Sequence, residues 1–598
     1  MAQELLADSK QDRLGRPLAH PRAPAAVIGL GCLLALPSLA VGFCTDDHGF
    51  RALLHSKRAS APAFYDLYRF TPTTSAEGHE LLVRKALLPW WSAPDFKLHL
   101  LRPLSSALFA LDDAVFADHA AGYHLHAIAW YAALLAAVAV LYRKVLPGPA
   151  GTVSLLVFAL KAAHAHAYAW LSARHILVAS AFAVLAMAAK AGPRGSTPGR
   201  AWIPPLALAC GLLGGETALG GVAFLLAYDA LGPSPEGRRT LKRQALGSLP
   251  IAIVTAAYLV AYRLCGGGAA GGGAYFDPFA TPWAFARAAA VRLPVLLGDA
   301  LLGIPAELTD LVSPRPLVIA GLVAVALLAI LYRASASRMS DDERAALRWL
   351  VPGALGAALV GVSGFPGGRV LVLPDVGFAA LIGALLHACF ARNGESPRAA
   401  VLGAAGVVLA LLHVVLAPLA ALRATSHLAR LARATERVAR EAELAQPEAN
   451  RAFLIASDPI VFLYPRGVFA EETPGRVRCW SPLSAARAPH RLTRTGPRAF
   501  TLEPLGRPLL EGPFERLFRS PDLPFAVGDE FRQCGALIRV AAVTDGEPTR
   551  LDIEMLTPID DDDVTFLVWA SGKLRRFEPP PIGQAIEFPW NPGPSRFL

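Results

Sequence analysis

Long runs of apolar residues, divided by short loops that carry arginine and lysine, restrict how this chain can fold more than any other feature. A helix of about 20 apolar residues matches the hydrocarbon thickness of a bilayer. Of the 598 residues, 54% are hydrophobic and 17% are charged, whereas soluble domains carry about 25% charged residues. The sequence therefore predicts a mainly α, polytopic membrane protein.

The apolar runs predict about eleven transmembrane helices. The run 201–231 is too long for one span and carries Gly214-Gly215-Glu216 at its middle, so we expect two short helices that meet there. The other predicted spans cover residues 25–43, 122–142, 152–169, 174–190, 245–262, 316–332, 348–364, 370–390 and 398–420.

The positions of the basic residues predict the orientation of these spans. Loops on the cytoplasmic side of a membrane carry an excess of lysine and arginine. One assignment makes every inner loop basic: it places the N-terminus in the cytoplasm and the C-terminal domain outside a plasma (inner) membrane. The net charge of +10 is then explained without a nucleic-acid partner. The inner basic residues are Arg143, Lys144, Lys190, Arg194, Arg200, Arg238, Arg239, Lys242, Arg243, Arg333, Arg338, Arg344, Arg348, Arg392 and Arg398.

Four regions follow from these patterns. We predict a cytoplasmic tail (1–22), a transmembrane domain (23–420), a charged helical linker (421–449) and an extracytoplasmic, all-β, sandwich-like domain (450–598). The transmembrane domain has outer loops at 44–120 and 263–315, and Trp90-Trp91 in the first suits the membrane interface. In the second, the glycine-rich stretch 265–273 predicts a flexible loop, and 283–303 predicts a helix on the membrane surface.

The β prediction rests on short alternating runs bounded by turn residues. The runs are 461–464, 537–540, 551–555 and 564–569, and the turns are Asp545-Gly546, Asp560–Asp563 and Ser571-Gly572.

Seven cysteines are present. An outer location permits disulfides, so Cys479 with Cys534 is one expected pair, and Cys44 with Cys265 is a second.

Polar residues at the outer ends of the spans are the candidates for chemistry. Asp46 and Asp47 follow the first span, and ionisable groups near hydrocarbon are costly unless they face water, a cavity or a metal. An aspartate can act as a general base, and an arginine can hold a phosphate. A solvated helix terminus remains the alternative for the two acids, and a lipid-headgroup anchor for Arg174. The other candidates are His164, His166, Glu216 and Arg369.

The segment 160–174, LKAAHAHAYAWLSAR, resembles a stretch of the GT-C superfamily of membrane glycosyltransferases. It is most similar to bacterial relatives of the tetratricopeptide-containing protein O-mannosyltransferases, which read roughly L-H-P-x-H-x-E-A-x-x-W-x-S-G-R. Further pieces follow in the same order. They are Asp46-Asp47, Arg102-Pro103-Leu104 before Leu111-Asp112, Gly122–Leu125, Gly215–Leu219 before Tyr228-Asp229, and Arg369 with Leu373-Pro374.

The resemblance implies a GT-C fold and transfer of a sugar from a polyprenyl-phosphate donor on the non-cytoplasmic side. Asp46 or Asp47 matches the acidic residue that serves as base or as ligand of a divalent metal such as Mg²⁺ or Mn²⁺. Arg102, His166, Arg174, Glu216 and Arg369 would bind the substrate. His166 stands where the family usually has Glu, and a β domain replaces the repeats. Membrane lipids and an acceptor protein or glycan are the other partners.

Two other functions remain open from the sequence. A transporter or flippase of lipid-linked sugars also contains short broken helices, although no inverted repeat is present in the sequence. The third hypothesis is an inactive GT-C-like scaffold whose β domain binds a partner.

Overall fold

The computed structural model describes residues 18–56, 63–72, 75–191, 201–233, 240–365, 367–391, 397–448, 450–455, 458–510 and 512–594. Most of the predicted tail (1–22) lies outside these ranges, as do the basic residues Arg194, Arg200, Arg238, Arg239 and Arg392.

Helices account for most of the regular structure. In chain order, the α-helices are α1 (Ala23–Ala35), α2 (Asp46–Leu54), α3 (Ala76–Arg84), α4 (Pro103–Phe116), α5 (Ala120–Val145), α6 (Pro149–Ala159), α7 (Ala165–Ala169), α8 (His175–Lys190), α9 (Ile203–Gly214), α10 (Leu219–Leu231), α11 (Leu241–Leu264), α12 (Pro282–Leu302), α13 (Pro314–Ser335), α14 (Asp341–Gly361), α15 (Asp375–Phe390), α16 (Pro397–Ala410), α17 (Ala417–Arg440), α18 (Pro459–Leu463), α19 (Pro465–Glu472) and α20 (Pro513–Phe518).

The strands are short and most follow residue 450. They are β1 (Lys97–His99), β2 (Gly268–Ala270), β3 (Asn450–Leu454), β4 (Val477–Pro482), β5 (His490–Arg494), β6 (Ala499–Pro504), β7 (Glu530–Gln533), β8 (Ala536–Thr544), β9 (Glu547–Met555), β10 (Val564–Ala570), β11 (Lys573–Arg576) and β12 (Ala585–Phe588).

The chain forms two compact units. The helical unit consists of Met1–Val41, Leu100–Gly267 and Pro278–Leu428, and the strand-rich unit consists of Gly42–His99, Gly268–Asp277 and Ala429–Leu598. This division differs from the predicted domains, because most of the first predicted outer loop and a short piece of the second, Gly268–Asp277, belong to the strand-rich unit. Sequence order did not reveal this grouping, since the three pieces of that unit are far apart in the chain.

The helical unit confirms the prediction of a polytopic membrane protein. Six helices among the described residues are long and apolar enough to cross a bilayer: Ala23–Ala40, Ala120–Val145, Leu171–Lys190, Gln244–Leu264, Pro314–Arg338 and Pro397–Arg440. Shorter apolar helices include α6, α9 and α15. The two short helices predicted within 201–231 are also present, as α9 and α10, which are separated at Gly215 and Glu216.

Two further predicted helices are present. The predicted linker helix is the end of a 44-residue helical run that begins at Pro397 and contains a π-helical turn at Leu411–Leu416. The predicted helix 283–303 is present as α12, and its part Val295–Leu301 is buried, while its position on the membrane surface stays a prediction. There the Asp299 carboxylate accepts the backbone N–H of Ala306 at 3.0 Å.

The strand-rich unit contains two larger sheets. The four-stranded sheet has the order β11-β10-β3-β4, and the six-stranded sheet has the order β12-β5-β6-β9-β8-β7. All neighbours in the second sheet are antiparallel, whereas β3 is parallel to both β10 and β4. Parallel strands need a crossover, and α18 and α19 provide it between β3 and β4.

The prediction of strands is confirmed in outline and wrong in one place. The runs 537–540, 551–555 and 564–569 form β8, β9 and β10. Asp545-Gly546 and Ser571-Gly572 are hairpin turns in which both residues have positive φ, as two-residue type I′ turns require. The run 461–464, however, lies in and directly after helix α18, whose first turn is capped by the Asp458 carboxylate on the N–H of Ile460 at 3.0 Å.

The predictions for two pieces of the outer loops are also wrong. Trp90 and Trp91 are fully buried in the strand-rich unit, where their indole N–H groups donate to the carbonyls of Leu483 and Glu515, both at 3.2 Å. The glycine-rich stretch contributes β2, which pairs with β1. At Gly272, a Cβ atom would lie 2.3 Å from the carbonyl oxygen of Leu517, so glycine permits a close backbone contact rather than a flexible loop.

One of the two predicted disulfides is present. Cys479 and Cys534 are joined, which confirms the first pairing. Cys44 and Cys265 are not joined in a disulfide and belong to different units, so the second pairing is wrong.

Candidate active site

The two acids of the first predicted outer loop have different environments within the strand-rich unit. Both lie in the first turn of α2, after Thr45, which has φ 50° and ψ −109°. Asp47 is fully buried, and its Oδ2 atom accepts the backbone N–H of Cys44 at 2.9 Å. Asp46 is partly exposed. Asp47 therefore stabilises the turn, and Asp46 is the carboxylate that a substrate can reach more easily.

The remaining predicted site residues belong to the helical unit, and the segment 160–174 is not one continuous helix there. It comprises a 3₁₀ turn at Ala162–His164, α7, and a second 3₁₀ turn at Leu171–Ala173. Lys161 Nζ lies 3.4 Å from Asp375 Oδ1, and His164 Nε2 lies 3.3 Å from Asp375 Oδ2. These three side chains are buried, and they tie the segment to the start of α15.

Arg102 and Glu216 form an ion pair that uses both carboxylate oxygens, with Arg102 Nε 2.8 Å from Glu216 Oε2. Arg102 is buried and precedes α4, while the Glu216 side chain is 30% exposed and lies between α9 and α10. The acid in the middle of the apolar run 201–231 thus has a cationic partner 114 residues away in the sequence.

Arg369 contacts two aromatic rings and a backbone carbonyl oxygen. Its guanidinium lies 5.7 Å from the ring centroid of Trp170 and 5.8 Å from that of Phe365, and it donates to the Phe365 carbonyl at 3.3 Å. Within the described part of the chain it forms no ion pair with a carboxylate. The nearby Glu307 instead accepts the backbone N–H of Gly368 at 2.7 Å. Arg369 is half-buried.

Two histidines, His166 and His175, lie near these charged side chains. His166 has a buried Nδ1 atom without a hydrogen-bond partner among the described residues, and it lies within electrostatic reach of Glu307 and Arg369. His175 lies within electrostatic reach of Arg102, Glu216 and Arg369. The electrostatic neighbours of the two histidines thus include three other predicted residues of the helical unit, Arg102, Glu216 and Arg369.

Arg174 has a carboxylate partner of its own. It pairs with Asp112 Oδ2, and Asp112 Oδ1 is 2.6 Å from His126 Nδ1. Arg174 and Asp112 are both almost fully buried. Loss of either would leave an uncompensated buried charge, so this pair has a clear role in the fold.

Sequence reasoning missed three residues of the group: Trp170, His175 and Glu307. Trp170 and His175 lie in or directly beside the segment that resembles the glycosyltransferases, so that segment was the available signal. Glu307 lies in a short 3₁₀ turn, Ala306–Asp310, and nothing in its sequence context distinguishes it from a solvated loop residue.

The residues do not fit a fully formed metal centre. In the described ranges, no three His, Cys, Asp or Glu side chains are grouped as ligands of one ion. Asp46 and Asp47 provide two carboxylates, and Asp47 is already engaged with the Cys44 N–H.

The sequence matches no protein-family model and no curated protein. Similar solved structures include two membrane glycosyltransferases of the GT-C superfamily. One is the archaeal oligosaccharyltransferase AglB from Archaeoglobus fulgidus, in complex with an inhibitory peptide and a dolichol-phosphate. It is 10% identical with a TM-score of 0.39 over 78% of this chain, which spans 65% of that protein's length. The other is ArnT from Cupriavidus metallidurans bound to undecaprenyl phosphate, which is 12% identical with a TM-score of 0.38 over 77% of this chain and 89% of ArnT.

Proposed function

We propose that this protein transfers a sugar from a polyprenyl-phosphate donor to an acceptor hydroxyl on the non-cytoplasmic side of the membrane. The observation that carries the proposal is the environment of the Arg369 side chain. It is a half-buried arginine in an apolar helical unit, held between two aromatic rings and without a carboxylate partner among the described residues. Such a guanidinium suits a phosphate, which it can bind through two parallel hydrogen bonds.

The proposed reaction inverts the anomeric centre. Asp46 removes the proton from the acceptor hydroxyl as its oxygen attacks the anomeric carbon. The bond from that carbon to the phosphate oxygen breaks, and polyprenyl phosphate leaves with the bonding electrons. Arg369 stabilises the negative charge on the departing phosphate. The transition state is oxocarbenium-like, and a phosphate is a good enough leaving group to need no acid catalyst.

Exposure favours Asp46 over Asp47 as the base. Asp47 is fully buried, and its bond to the Cys44 N–H supports a structural role in the same turn. No step of the proposed reaction passes through a metal ion, because the grouped ligands that an ion requires are not present among the described residues.

The other predicted site residues take substrate-binding and supporting roles in this proposal. His166 has a buried Nδ1 atom that finds no hydrogen-bond partner in the described ranges and can bind the donor phosphate or sugar. The Arg102–Glu216 pair presents a partly exposed carboxylate that can accept hydrogen bonds from sugar hydroxyls. Arg174 supports the end of the segment 160–174 through Asp112.

The proposal also includes the partners of the protein and its orientation in the membrane. We propose a lipid-linked sugar as donor, a protein or glycan as acceptor, a cytoplasmic N-terminus and an extracytoplasmic strand-rich unit in a plasma (inner) membrane. A reporter that is active only in the cytoplasm should be silent when it follows Leu598. Reporter activity there would contradict the orientation.

The test uses the full-length protein in lipid nanodiscs with a panel of undecaprenyl-phosphate-linked hexoses and a membrane extract from the source cells as acceptor. Release of undecaprenyl phosphate and transfer of labelled sugar are measured. Wild type should release lipid from one donor, and Asp46→Asn should reduce turnover about 10²–10⁴-fold while donor binding persists. Full activity in both Asp46→Asn and Asp47→Asn would reject the acidic turn as the catalytic base. Flux of intact donor across sealed vesicles without any sugar product would indicate a transporter.

A further inference from the structure

Helix α2, which begins with the two acids, packs against helix α19 of the same strand-rich unit. One carboxylate, that of Glu471 on α19, joins them. Its Oε2 atom is 2.7 Å from His48 Nδ1, and its Oε1 atom pairs with Arg51 NH1. All three side chains are at least nine-tenths buried.

The geometry makes this a two-point attachment. His48 and Arg51 are three residues apart, so they lie on the same face of α2, and each binds a different oxygen of Glu471. The helices also approach closely: a Cβ atom at Gly467 would be 3.2 Å from the backbone nitrogen of Gly49 and 3.3 Å from His48 Cβ. Two bonds from one carboxylate limit both rotation and sliding of α2 against α19.

Arg51 connects this attachment to the turn that precedes the acids. Its guanidinium lies 4.3 Å from the ring centroid of Phe43, and Phe43 begins the stretch Phe43–His48. On the other side of the turn, Asp47 binds the N–H of Cys44. Glu471 therefore restrains the backbone on both sides of Asp46, through Arg51 and Phe43 before it and through His48 after it.

The neighbouring Glu472 shows that this arrangement is specific. Glu472 binds Arg440 of the long helix α17 through two hydrogen bonds of 2.9 and 2.7 Å, and its side chain is 29% exposed. Two adjacent glutamates on one helix thus have different hydrogen-bond partners: Glu471 binds His48 and Arg51 of α2, and Glu472 binds Arg440. Loss of Glu471 would leave the buried Arg51 charge without this carboxylate, so the pair also contributes to the fold.

We propose that Glu471 is a positioning residue that holds the Asp46 carboxylate in its reactive orientation, so that the C-terminal part of the chain takes part in catalysis at the acidic turn. The inference rests on the proposed role of Asp46. A catalytic group displaced by about 1 Å can lose about 10²-fold in rate, so a restraint on this short helix has a direct effect on turnover.

The first experiment measures the restraint itself, without any substrate. Hydrogen–deuterium exchange is followed in full-length protein in nanodiscs for wild type, Glu471→Ala, Glu471→Gln and the matched control Glu472→Ala. The peptide that covers residues 43–54 should exchange about 10-fold faster in Glu471→Ala, because local opening is no longer opposed. Glu471→Gln should be intermediate, since one oxygen acceptor remains, and Glu472→Ala should match wild type. Unchanged exchange in both Glu471 variants, or faster exchange throughout the strand-rich unit, would overturn the proposal.

The second experiment measures turnover with the labelled donor found active in the nanodisc assay. Glu471→Ala should lower kcat about 10–100-fold with little change in the donor KM, and Glu472→Ala should retain wild-type kcat. In an Asp46→Asn background, Glu471→Ala should cause no further loss, because the group that it positions is absent. An additional loss in that background would refute positioning of Asp46. Full activity of Asp46→Asn would instead refute the proposed function, and the exchange experiment would still report on the restraint.

Discussion

Gln533 donates a hydrogen bond from its side-chain Nε2 atom to the carbonyl oxygen of Leu88 at 2.9 Å. The same nitrogen donates to the Val83 carbonyl at 3.0 Å, and Oε1 accepts the Ser481 hydroxyl at 2.7 Å. Gln533 is fully buried, so both ends of its amide are satisfied inside the strand-rich unit. Residues 83–91 are therefore an integral part of that unit, although Leu88 precedes Gln533 by 445 residues.

The buried tryptophans provide the first prediction. Trp91→Ala should lower the free energy of unfolding of the strand-rich unit by about 3–5 kcal/mol, because it empties a large buried volume and leaves the Glu515 carbonyl without its indole donor. Pulse proteolysis over a denaturant series measures this change in the full chain. Trp590→Ala is the control: Trp590 is 46% exposed, so its loss should cost under about 1 kcal/mol. Equal effects of the two variants would contradict the buried position of Trp91.

The disulfide provides a second prediction. Cys479 and Cys534 are 55 residues apart, so the bond should stabilise the unit by about 4 kcal/mol through the entropy of the closed loop. Cys479→Ser with Cys534→Ser should lower the unfolding midpoint by the corresponding amount, and a reducing agent should have the same effect on wild type. In denaturant, five thiols should react before reduction and all seven after it. Seven reactive thiols in unreduced protein would show that the bond does not form.

The two candidate phosphate arginines should behave differently. Arg369→Ala should weaken binding of undecaprenyl phosphate with little loss of stability, because Arg369 forms no ion pair within the described ranges. Arg369→Lys should restore the binding only in part, since lysine lacks the planar fork. Arg174→Ala should instead destabilise the fold by about 3–5 kcal/mol, because Asp112 is left as a buried, uncompensated charge. Lipid binding and thermal unfolding, measured for all three variants, separate these roles, and an intact fold in Arg174→Ala would contradict the second.

The strand-rich unit should lose stability as the pH rises from about 4.5 to about 7. Burial of Glu515 raises its pKa to about 7 from the usual 4.5, and its Oε2 atom has no hydrogen-bond partner among the described residues. The folded state then binds more protons than the unfolded state between these values, so the stabilisation is complete below about pH 4.5 and is lost as the pH rises through 7.

Glu515→Gln tests this dependence, because the amide remains neutral at every pH. The variant should match wild type near pH 4.5 and exceed it by about 3 kcal/mol above pH 8. The comparison of unfolding midpoints at both pH values provides the measurement. A constant difference between the two proteins across this range would contradict a titrating Glu515.

Local patterns explain which parts of the fold could be predicted. The long apolar runs, the break at Gly214-Gly215 and the turns at Asp545-Gly546 and Ser571-Gly572 depend on residues that are close in sequence. The burial of Trp90 and Trp91 depends on partners that follow them by 393 and 424 residues. An exposed aromatic pair at a membrane interface and a buried pair in a protein core have the same local sequence, so the pattern could not separate them.

Local sequence was also insufficient to predict the role of each charged residue in the candidate site. The sequence identified Arg102, Arg174, Glu216 and Arg369 as unusual charges near apolar runs. Whether such a charge is available for a ligand depends on its partner, and the partners of Arg102 and Arg174 are 114 and 62 residues away. Only the folded structure shows that Arg102 and Arg174 pair with carboxylates, whereas Arg369 has no such pair among the described residues. It likewise shows that Asp47 is buried and that Asp46 is partly exposed.

The 423 residues between His48 and Glu471 also set a delay during synthesis. A ribosome that adds about 5–20 residues per second needs roughly 20–85 s to travel from one to the other. During that time the segment that contains Trp90 and Trp91 leaves the ribosome, but the sheets that bury it have not yet been synthesised. This segment of a nascent chain therefore needs protection until the last quarter of the chain has been synthesised. A chain that terminates before residue 471 lacks Glu471, which binds His48 and Arg51 of α2. Such incomplete copies would lack the proposed restraint on Asp46, and only a chain that has been synthesised past residue 471 can form it.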